Sequence, residues 1–374
     1  MDLTSAPQTH STAPATARDS AAEALDVQEC SQNRSSASPS PTVAVNGATS
    51  PREFFGRLYG PIEQPLAAVE NRIAQELQSP YEAVGELLRH GTQLGGKRLR
   101  PALVLLTGSA LGNVTDDHIV LGTVIEMVHT ATLIHDDVLD EAETRRHVAT
   151  VNAQWNNHTS ILLGDYLFAQ SYRLAATLSS TTACQWIGEA ARLVCEGEMR
   201  QVLGRDLLDI DEDTYFGMIR GKTAELCRVA CELGAHYSGA SEDQVASFGR
   251  YGNAVGIAFQ IADDFLDLWG DDQVVGKTLG TDVEQGKITL PLIRLLATAS
   301  DQDRIRIERI LRGPAKERVD GIRPYLQASD ARQYTESVAQ RFRSEAIAEL
   351  QFLARSQAKA SLVSIADFSV DRRF

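Results

Sequence analysis

Residues His118–Asp140 read HIVLGTVIEMVHTATLIHDDVLD, an apolar stretch that ends in three aspartates. A second stretch of this kind, Val245–Trp269, reads VASFGRYGNAVGIAFQIADDFLDLW. Each has the length of a long helix and lacks a clear polar face, and a helix of that type belongs in the middle of a bundle. The two stretches therefore predict an all-α fold with two central helices, each carrying aspartates at its C-terminal end.

The rest of the chain from Pro51 onward supports the same fold class. Apolar side chains recur at three- and four-residue spacing, as at Leu66, Val69, Ile73 and Leu77. Alternating strand patterns bounded by Asn-Gly or Asp-Gly turns are not seen, so no βαβ rhythm is predicted. We expect helices at roughly 64–77, 80–91, 98–110, 116–140, 149–155, 159–178, 181–203, 211–236, 241–268, 287–297 and 300–311, with several more towards the C-terminus.

Composition and charge exclude several classes of protein. The chain has 374 residues, of which 43% are hydrophobic, and a net charge of -14. That acidic balance disfavours nucleic-acid binding, which needs a basic surface. No uninterrupted apolar run reaches the roughly 18 to 20 residues of a bilayer span, so we expect a soluble protein without a transmembrane segment. Five cysteines without a CxxC pair disfavour zinc and disulfides and fit a reducing cytoplasm.

Residues 1–50 differ in composition from the rest of the chain. They are rich in Ser, Thr, Ala and Pro and poor in large aliphatic residues. Such a segment cannot bury enough apolar surface to offset the entropy of ordering. Acidic residues outnumber arginines in it, which disfavours a transit peptide. The predicted organisation is a disordered tail at 1–50 followed by one helical domain at 51–374.

The two central helices carry the same aspartate pattern, spaced i, i+1 and i+4: Asp136, Asp137 and Asp140 in the first and Asp263, Asp264 and Asp267 in the second. Aspartates four apart lie one above the other on a helix, so their like charges repel. The partial negative charge of a helix C-terminus adds to that repulsion. One such cluster would be read as a solvated surface, but two at the ends of apolar helices predict that a cation holds them together.

The chemistry of that cation follows from its ligands. Carboxylate oxygens suit Mg²⁺ or Mn²⁺. The segment DVLDEAETRR lacks the alternating oxygens, central glycine and closing glutamate of an EF-hand. Magnesium held by a few carboxylates usually shares a substrate phosphate as a further ligand. A diphosphate or triphosphate substrate is therefore predicted.

Basic residues that could bind such phosphates occur in four short motifs, most of them next to glycine. They are GGKRLRP at 95–101, TRR at 144–146, RGKTAEL at 220–226 and VVGKTLGTDVEQGKIT at 274–289. Each motif alone could be scattered surface charge, but together they indicate local basic sites in an acidic protein. The glycine and lysine spacings do not match a nucleotide P-loop, so ATP or GTP hydrolysis is not predicted.

With these motifs the sequence resembles the trans-isoprenyl diphosphate synthases, also called polyprenyl synthetases. The resemblance rests on GGKRLRP, HDDVLDEAETRR, GKTAEL, FQIADDFLDLWG and GKTLGTDVEQGKITLPL, which occur in that order. It covers the chain from about residue 60 to the C-terminus, and the tail before residue 50 has no counterpart. The resemblance implies a single-domain helical bundle around a deep central cavity, the isoprenoid synthase fold, with the two aspartate motifs facing each other at its mouth.

The resemblance also implies a role for each motif. The enzyme would be a prenyltransferase that uses Mg²⁺, or Mn²⁺, and its metal ligands would be Asp136, Asp137, Asp140, Asp263 and Asp267, with Asp264 in support. The allylic diphosphate would be bound by Arg145, Lys222, Thr223, Gln260, Lys277 and Lys287. Isopentenyl diphosphate would be bound by Lys97, Arg100, His129 and Arg146. The residues expected to carry catalysis are Asp136, Asp140, Asp263 and Lys222.

The chemistry that the resemblance implies is head-to-tail condensation. Metal ions and cationic side chains stabilise the departing diphosphate, so the allylic carbon–oxygen bond ionises. The double bond of isopentenyl diphosphate, held beside it, then attacks the allylic cation. Apolar walls exclude water from that cation, and the proton is lost to the released diphosphate. A terpene cyclase or head-to-head synthase is disfavoured because it would not need GGKRLRP.

The length of the product is expected to depend on the residues beneath the first motif. The small Ala131 and Thr132 favour a long all-trans chain of the kind used in quinone side chains, unless Met127, Phe168 or Tyr172 forms a deeper floor. The alternatives are a short-chain geranylgeranyl or farnesyl diphosphate synthase and a non-catalytic subunit of a heteromeric synthase. We also expect a cytoplasmic homodimer whose product can be passed to a membrane.

Overall fold

The computed structural model describes residues 51–93, 96–146, 148–270 and 279–371. In the first half of the chain the helices are α1 (Pro51–Tyr59), α2 (Glu63–Glu76), α3 (Glu82–Gln93), α4 (Leu99–Ala110), α5 (Asp116–Leu139), α6 (Val151–Gln154), α7 (Asn157–Ala175) and α8 (Thr182–Leu203). In the second half they are α9 (Glu212–Ile219), α10 (Glu225–Tyr237), α11 (Glu242–Trp269), α12 (Thr281–Glu284), α13 (Leu290–Thr298), α14 (Asp301–Leu311), α15 (Ala315–Ala328), α16 (Ala331–Glu349) and α17 (Gln357–Val370). The predicted all-α fold is confirmed.

Three local features were not predicted from the sequence. Helix α1 precedes the first predicted helix, and a two-residue ribbon pairs β1 (Thr144–Arg145) with β2 (Val148–Ala149). The predicted helix at 211–236 is divided by a π-helical turn at Arg220–Ala224. Residues 1–50, expected to be a disordered tail, lie outside the described residues.

Close packing of glycines accounts for the π-helical turn. An added Cβ at Gly197 of α8 would lie 2.6 Å from the backbone nitrogen of Lys222. A Cβ at Gly221 would lie 2.8 Å from the carbonyl oxygen of Leu193. Two backbones therefore meet here without side chains between them. Lys222 and Thr223 lie within this wider turn, so their side chains leave the helix at positions different from those of a regular α-helix. π-Turns of this kind are frequent at functional sites.

The two central helices begin at capped N-termini. In α11 the Ser241 hydroxyl accepts a hydrogen bond from the Gln244 backbone, and the Gln244 side chain accepts one from the Ser241 nitrogen. In α5 the Thr115 side chain and His118 make the equivalent reciprocal pair. Such a capping box satisfies N–H groups that a helix start leaves unpaired. Both helices are thereby fixed at the end opposite their aspartates.

Helix α11 joins the two parts of the hydrophobic core. Its first half, with Phe248 and Tyr251, packs into a core cluster that also contains α2, α4, α5, α7 and α10. Its second half, with Ile257 and Ile261, packs into a cluster built with α13, α14, α15 and α16. Tyr251 is completely buried and donates a hydrogen bond to the carbonyl oxygen of Leu362 in α17, at 2.8 Å. The second aspartate motif is thus carried by the helix that organises both clusters.

Helix α5 is apolar enough to be compared with a membrane span. Among the described residues it is the one helix whose length and composition would allow it to cross a bilayer. The sequence analysis counted uninterrupted apolar runs, whereas average hydropathy over the helix gives this different result. Most of its apolar window, 67%, is buried inside the protein. That burial is typical of the core helix of a globular protein.

Crossing of α10 and α11 at glycines should make the fold sensitive to a single methyl group. An added Cβ at Gly252 would clash with the backbone of Cys227 and Arg228, which cannot rotate away. We expect Gly252→Ala to lower the free energy of unfolding by about 1–3 kcal/mol, the usual cost of overpacking. Thermal unfolding followed by circular dichroism would measure it. Gly56→Ala is the matched control, because Gly56 has no neighbour within 4 Å of an added Cβ, and an unchanged stability in both variants would contradict the tight crossing.

Candidate active site

The aspartate-bearing ends of α5 and α11 are linked through Lys287 and Asp282. Lys287 lies 3.6 Å from Asp140 Oδ1 at the end of α5 and 3.4 Å from Asp282 Oδ1, measured from Nζ. The backbone nitrogen of Asp282 in turn donates to Asp267 Oδ2 of α11, at 3.2 Å. The segment Gly280–Lys287 therefore connects the two aspartate motifs and places the Lys287 ammonium group between Asp140 and Asp282.

Two aspartates of the second motif are engaged by the protein itself. Asp264 is buried and accepts hydrogen bonds from the Tyr215 hydroxyl at 2.6 Å and from Gln260 Nε2 at 2.8 Å. Burial, with the nearby charge of Asp282, raises the pKa of Asp264 to about 8. Asp267 is also buried and accepts hydrogen bonds from the backbone and hydroxyl of Thr281 at the start of α12. Asp263, by contrast, is partly exposed.

One aspartate of the first motif likewise turns into the protein. Asp137 is 1% exposed and pairs with Arg145 at 2.7 Å from Nη2 to Oδ1, while its Oδ2 is buried without a hydrogen-bond partner. Burial raises the pKa of Asp137 although Arg145 opposes that shift. Asp136 and Asp140 are partly exposed. The outward-facing carboxylates of the two motifs are therefore Asp136, Asp140 and Asp263.

The environment of Asp136 disfavours an isolated negative charge. Burial raises its pKa to about 6; Lys222 opposes this shift, while Glu198 and Asp140 add to it. The Lys222 ammonium donates to Glu198 Oε1 and to Gln201 Oε1, both at 2.8 Å. Burial lowers the pKa of Lys222, but Asp136 and Glu198 raise it by more, so this lysine stays cationic. At Asp136, burial and the neighbouring carboxylates Glu198 and Asp140 thus outweigh Lys222.

A chain of hydrogen bonds links the π-helical turn to the second motif. The Thr223 hydroxyl donates to Gln260 Oε1 at 2.7 Å, and Gln260 donates to Asp264, which also receives the Tyr215 hydroxyl. Burial and Asp264 raise the pKa of Tyr215 well above its usual value, so the phenol stays protonated and keeps donating. These groups fix the wall of a cavity of about 80 Å³ lined by Gln201, Lys222, Gln260, Asp264, Asp282 and Lys287, among others.

A second cluster of cations lies further along α5. His129 is two turns before Asp136, or about 10 Å along the same helix. Arg100 Nη1 lies 2.9 Å from His129 Nε2. Burial, followed by the charges of Arg100 and Arg146, holds the pKa of His129 well below its usual range. His129 is therefore neutral and accepts this bond at Nε2, which leaves Nδ1–H as its donor.

The glycine-rich motif shapes this second cluster. An added Cβ at Gly96 would overlap the guanidinium of Arg146, so the arginine lies directly against the glycine backbone. Arg98 is turned away and pairs with Glu70 and with Glu126, at 2.8 Å from Nη1 to Glu126 Oε1. Arg100 and Arg146 remain next to His129, and a buried Nε of Arg100 has no hydrogen-bond partner. The cluster suits an anion with several oxygens.

Lys97 is positioned by the two terminal helices of the domain. Its Nζ lies 4.7 Å from the ring centre of Phe368 in α17 and 5.2 Å from that of Phe55 in α1. The Tyr59 hydroxyl donates to the Lys97 carbonyl at 2.5 Å. Helix α1, which the sequence analysis did not predict, thus contributes directly to the neighbourhood of the GGKRLRP motif.

The donor atoms of the aspartate motifs decide which metal ion the site could hold. Within the described residues no three His, Cys, Asp or Glu side chains form a ready-made metal cluster. The outward carboxylates belong to two separate helices, and Asp136 lies beside the further carboxylates of Glu198 and Asp140. An all-oxygen donor set with few protein ligands fits Mg²⁺ that completes its shell with water and substrate phosphate.

The residues nominated as a floor for the product differ in burial. Ala131 and Met127 are fully buried in the core, at 0% and 1% exposed. Thr132 is partly exposed, and its hydroxyl donates to the His129 carbonyl at 2.8 Å. Tyr172 of α7 is 37% exposed. Phe168 is partly exposed, and its ring centroid lies 6.1 Å from that of His135. Thr132, Phe168 and Tyr172 are therefore the members of this set with accessible surface.

Some residues around the site were missed by the sequence analysis, and one predicted residue cannot be placed. Glu198, Arg205 and Tyr215 contact the predicted residues but carry no spacing signal, because each acts through a tertiary contact. Asp282 lies inside the motif VVGKTLGTDVEQGKIT, but its ion pair with Lys287 was not predicted. Lys277 lies outside the described residues. Among the remaining predicted residues, one group at the second cluster contains Arg100, His129 and Arg146, and another at the aspartate motifs contains Lys222, Thr223, Gln260 and Lys287.

The chain is similar in sequence and in fold to proteins of one family. Residues 81–327 match the family model described as polyprenyl synthetase. The chain is 34% identical over 310 residues to an octaprenyl diphosphate synthase of Haemophilus influenzae, covering 83% of this chain and 94% of the relative. It superimposes on the crystal structure of a decaprenyl diphosphate synthase from Rhodobacter capsulatus with a TM-score of 0.80 and 34% identity, over 86% of this chain and 99% of the other. A polyprenyl synthase from Caulobacter crescentus, solved in complex with calcium and isoprenyl diphosphate, gives a TM-score of 0.79 and 32% identity over 86% of this chain and 98% of that one.

Proposed function

The chain belongs to the polyprenyl synthetase family and is a prenyltransferase, and we propose that it condenses isopentenyl diphosphate with an allylic diphosphate under divalent-metal catalysis. The observation that carries the proposal is the pair of aspartate motifs linked through the segment Gly280–Lys287, with a second cation cluster two turns along α5. Helix α5 would thus carry a metal-binding aspartate motif and a cationic cluster about 10 Å apart. A diphosphate bound at each place would hold the two substrates next to each other.

The allylic diphosphate would bind at the aspartate motifs. Asp136, Asp140 and Asp263 would hold Mg²⁺, or Mn²⁺, and Asp137 and Asp267 would support them through their bonds to Arg145 and to the start of α12. When bound, the metal would supply positive charge that stabilises the leaving diphosphate. Binding of a divalent metal by this chain is supported by the polyprenyl synthase of Caulobacter crescentus, which was solved in complex with calcium and isoprenyl diphosphate.

Side chains of this protein would assist the departure of the diphosphate. Lys222 and Lys287 line the cavity and would donate to diphosphate oxygens, together with Arg145, Thr223, Gln260 and Lys277. Both lysines already neutralise carboxylates in the free protein. Their charges are therefore in place before the carbon–oxygen bond breaks, which costs little reorganisation in the transition state.

Isopentenyl diphosphate would bind at the second cluster, on Lys97, Arg100, His129 and Arg146. A neutral His129 donates from Nδ1 while Arg100 supplies the charge, so the histidine would act as a binding group rather than a base. The double bond of the substrate would then lie near the allylic carbon, and the buried apolar core around α5 and α11 would exclude water. The released diphosphate would accept the proton.

We also propose that the product is a long all-trans polyprenyl diphosphate for quinone side chains, in line with the octaprenyl and decaprenyl relatives. A short-chain product remains the alternative. A cytoplasmic location, with the product passed to a membrane, belongs to the same proposal. It is supported by four free cysteines among the described residues.

Removal of an outward aspartate should abolish turnover without unfolding the protein. We expect Asp136→Asn or Asp263→Asn to lower kcat by roughly two to three orders of magnitude, because each removes a carboxylate next to the developing charge. Release of diphosphate from farnesyl diphosphate plus isopentenyl diphosphate measures the effect. Asp213→Asn, at an exposed position of α9, is the control and should keep full activity. Near-normal turnover in both site variants would contradict the assignment, as would an inert wild-type protein.

Removal of divalent metal should stop the reaction while the fold persists. Chelation with EDTA should abolish product formation, and Mg²⁺ or Mn²⁺ should restore it. The far-ultraviolet circular dichroism spectrum and the melting temperature should change little, because Asp137, Asp264 and Asp267 have partners within the protein. Loss of the helical spectrum on chelation would show a structural metal instead and would argue against this assignment.

A homodimer is proposed from the exposed face of α7. Three large apolar side chains are exposed within six residues of the helix, at 46% for Ile161, 67% for Leu162 and 37% for Tyr166, and Leu162 and Tyr166 lie four residues apart on one side. A second copy of the chain is the proposed occupant, since the same helix can pair with itself across a two-fold axis. We expect Leu162→Lys to shift the mass measured by light scattering from dimer to monomer. Ile305→Lys, at a 60% exposed position of α14, should leave the mass unchanged; a monomeric wild-type protein would contradict the proposal.

A further inference from the structure

Arg205, in the turn after α8, points at the first aspartate motif. Its Nη2 lies 3.3 Å from Asp140 Oδ1, near the outer limit of a hydrogen bond. Its Nε is buried and has no hydrogen-bond partner. A guanidinium always carries its charge and has five N–H donors. Arg205 thus offers donors beyond the one that approaches Asp140.

The turn that carries Arg205 is held in place by the loop that carries Lys287. Asp206 adopts a left-handed backbone conformation, with φ 61°, and its nitrogen donates to the Gly286 carbonyl at 2.9 Å. Arg318 of α15 donates to Asp206 Oδ1 at 3.0 Å. Gly286 itself has φ 73°, and an added Cβ there would clash with the Asp206 carboxylate. The position of the Arg205 backbone is therefore fixed relative to Lys287.

Arg205 in the turn after α8 and Lys287 in the neighbouring loop both approach Asp140 Oδ1. Lys287 Nζ lies 3.6 Å from Asp140 Oδ1 and also pairs with Asp282. One oxygen of Asp140 therefore faces two cations, although one would be enough to neutralise it. The arginine side chain is 31% exposed, so it is neither buried in the core nor free in solvent. Such a group is poised to bind an incoming anion.

We propose that Arg205 is a further binding residue for the allylic diphosphate. In the free protein it contacts Asp140, and in the complex it donates to diphosphate oxygens, where its fork of donors matches an oxyanion. This inference rests on the proposed function of the site. The residue was not identified by any of the sequence motifs.

The test compares wild-type protein with Arg205→Gln in binding farnesyl thiodiphosphate, an allylic analogue that ionises slowly. Calorimetry at a fixed, saturating Mg²⁺ concentration should show a Kd about tenfold weaker for Arg205→Gln, because a charged hydrogen bond is lost. If Arg205 only neutralised Asp140, its removal would free that carboxylate, and binding would be unchanged or tighter. Either of those results would overturn the inference.

Two further variants and a second substrate show whether weaker binding is specific to the Arg205 guanidinium and to the allylic diphosphate. Arg205→Lys keeps the charge but loses the fork, so its Kd should lie between those of the wild type and Arg205→Gln. Arg192→Gln, at an exposed ion pair of α8, should bind like the wild type. The KM for isopentenyl diphosphate should be the same in all variants, since that substrate would bind at the other cluster. A wild-type protein that does not bind the analogue would contradict the proposed function, whereas equal binding by wild type and Arg205→Gln would contradict only the role of Arg205.

Discussion

Repulsion among six carboxylates at the ends of two buried helices is the constraint on which the site depends. The C-terminus of a helix carries partial negative charge, so aspartates are least stable where these motifs place them. The protein relieves the repulsion in part. Asp137 pairs with an arginine, Asp264 receives a phenol and an amide, and Asp267 accepts hydrogen bonds from the start of α12. At Asp136, burial together with the charges of Glu198 and Asp140 outweighs Lys222, and a bound metal ion would add positive charge there.

Loop Gly280–Lys287 converts this local constraint into one coupled site. It binds Asp267 through backbone nitrogens, places Lys287 against Asp140 and holds the turn of Arg205 through Gly286. A displacement of one aspartate motif would therefore change the position of the other through this loop. Helix α5 extends the coupling to the second cation cluster, since His129 and Asp136 lie on one rigid helix. Two substrates bound at these places would be held at a set separation, which is the main requirement of a condensation.

The sequence predicted what depends on local periodicity and on spacing along one helix. The all-α fold, the two apolar central helices and the paired aspartate motifs could be read from residues 118–140 and 245–269 alone. It could not predict that Asp267 would accept hydrogen bonds from the start of α12 or that Arg98 would pair with Glu126. Those roles depend on which neighbour lies across the contact. Arg205 and Tyr215 show the same limit, because neither stands in a recognisable spacing with the residues it contacts.

We propose above all that the two aspartate motifs release diphosphate from an allylic substrate so that a chain can grow. The most direct test of this proposal is incubation of the purified protein with farnesyl diphosphate, isopentenyl diphosphate and Mg²⁺, followed by chromatography of the dephosphorylated products beside prenyl alcohols of known length. The account predicts a polyprenol longer than the primer by several five-carbon units. Recovery of unextended farnesol, with no diphosphate released, would contradict it.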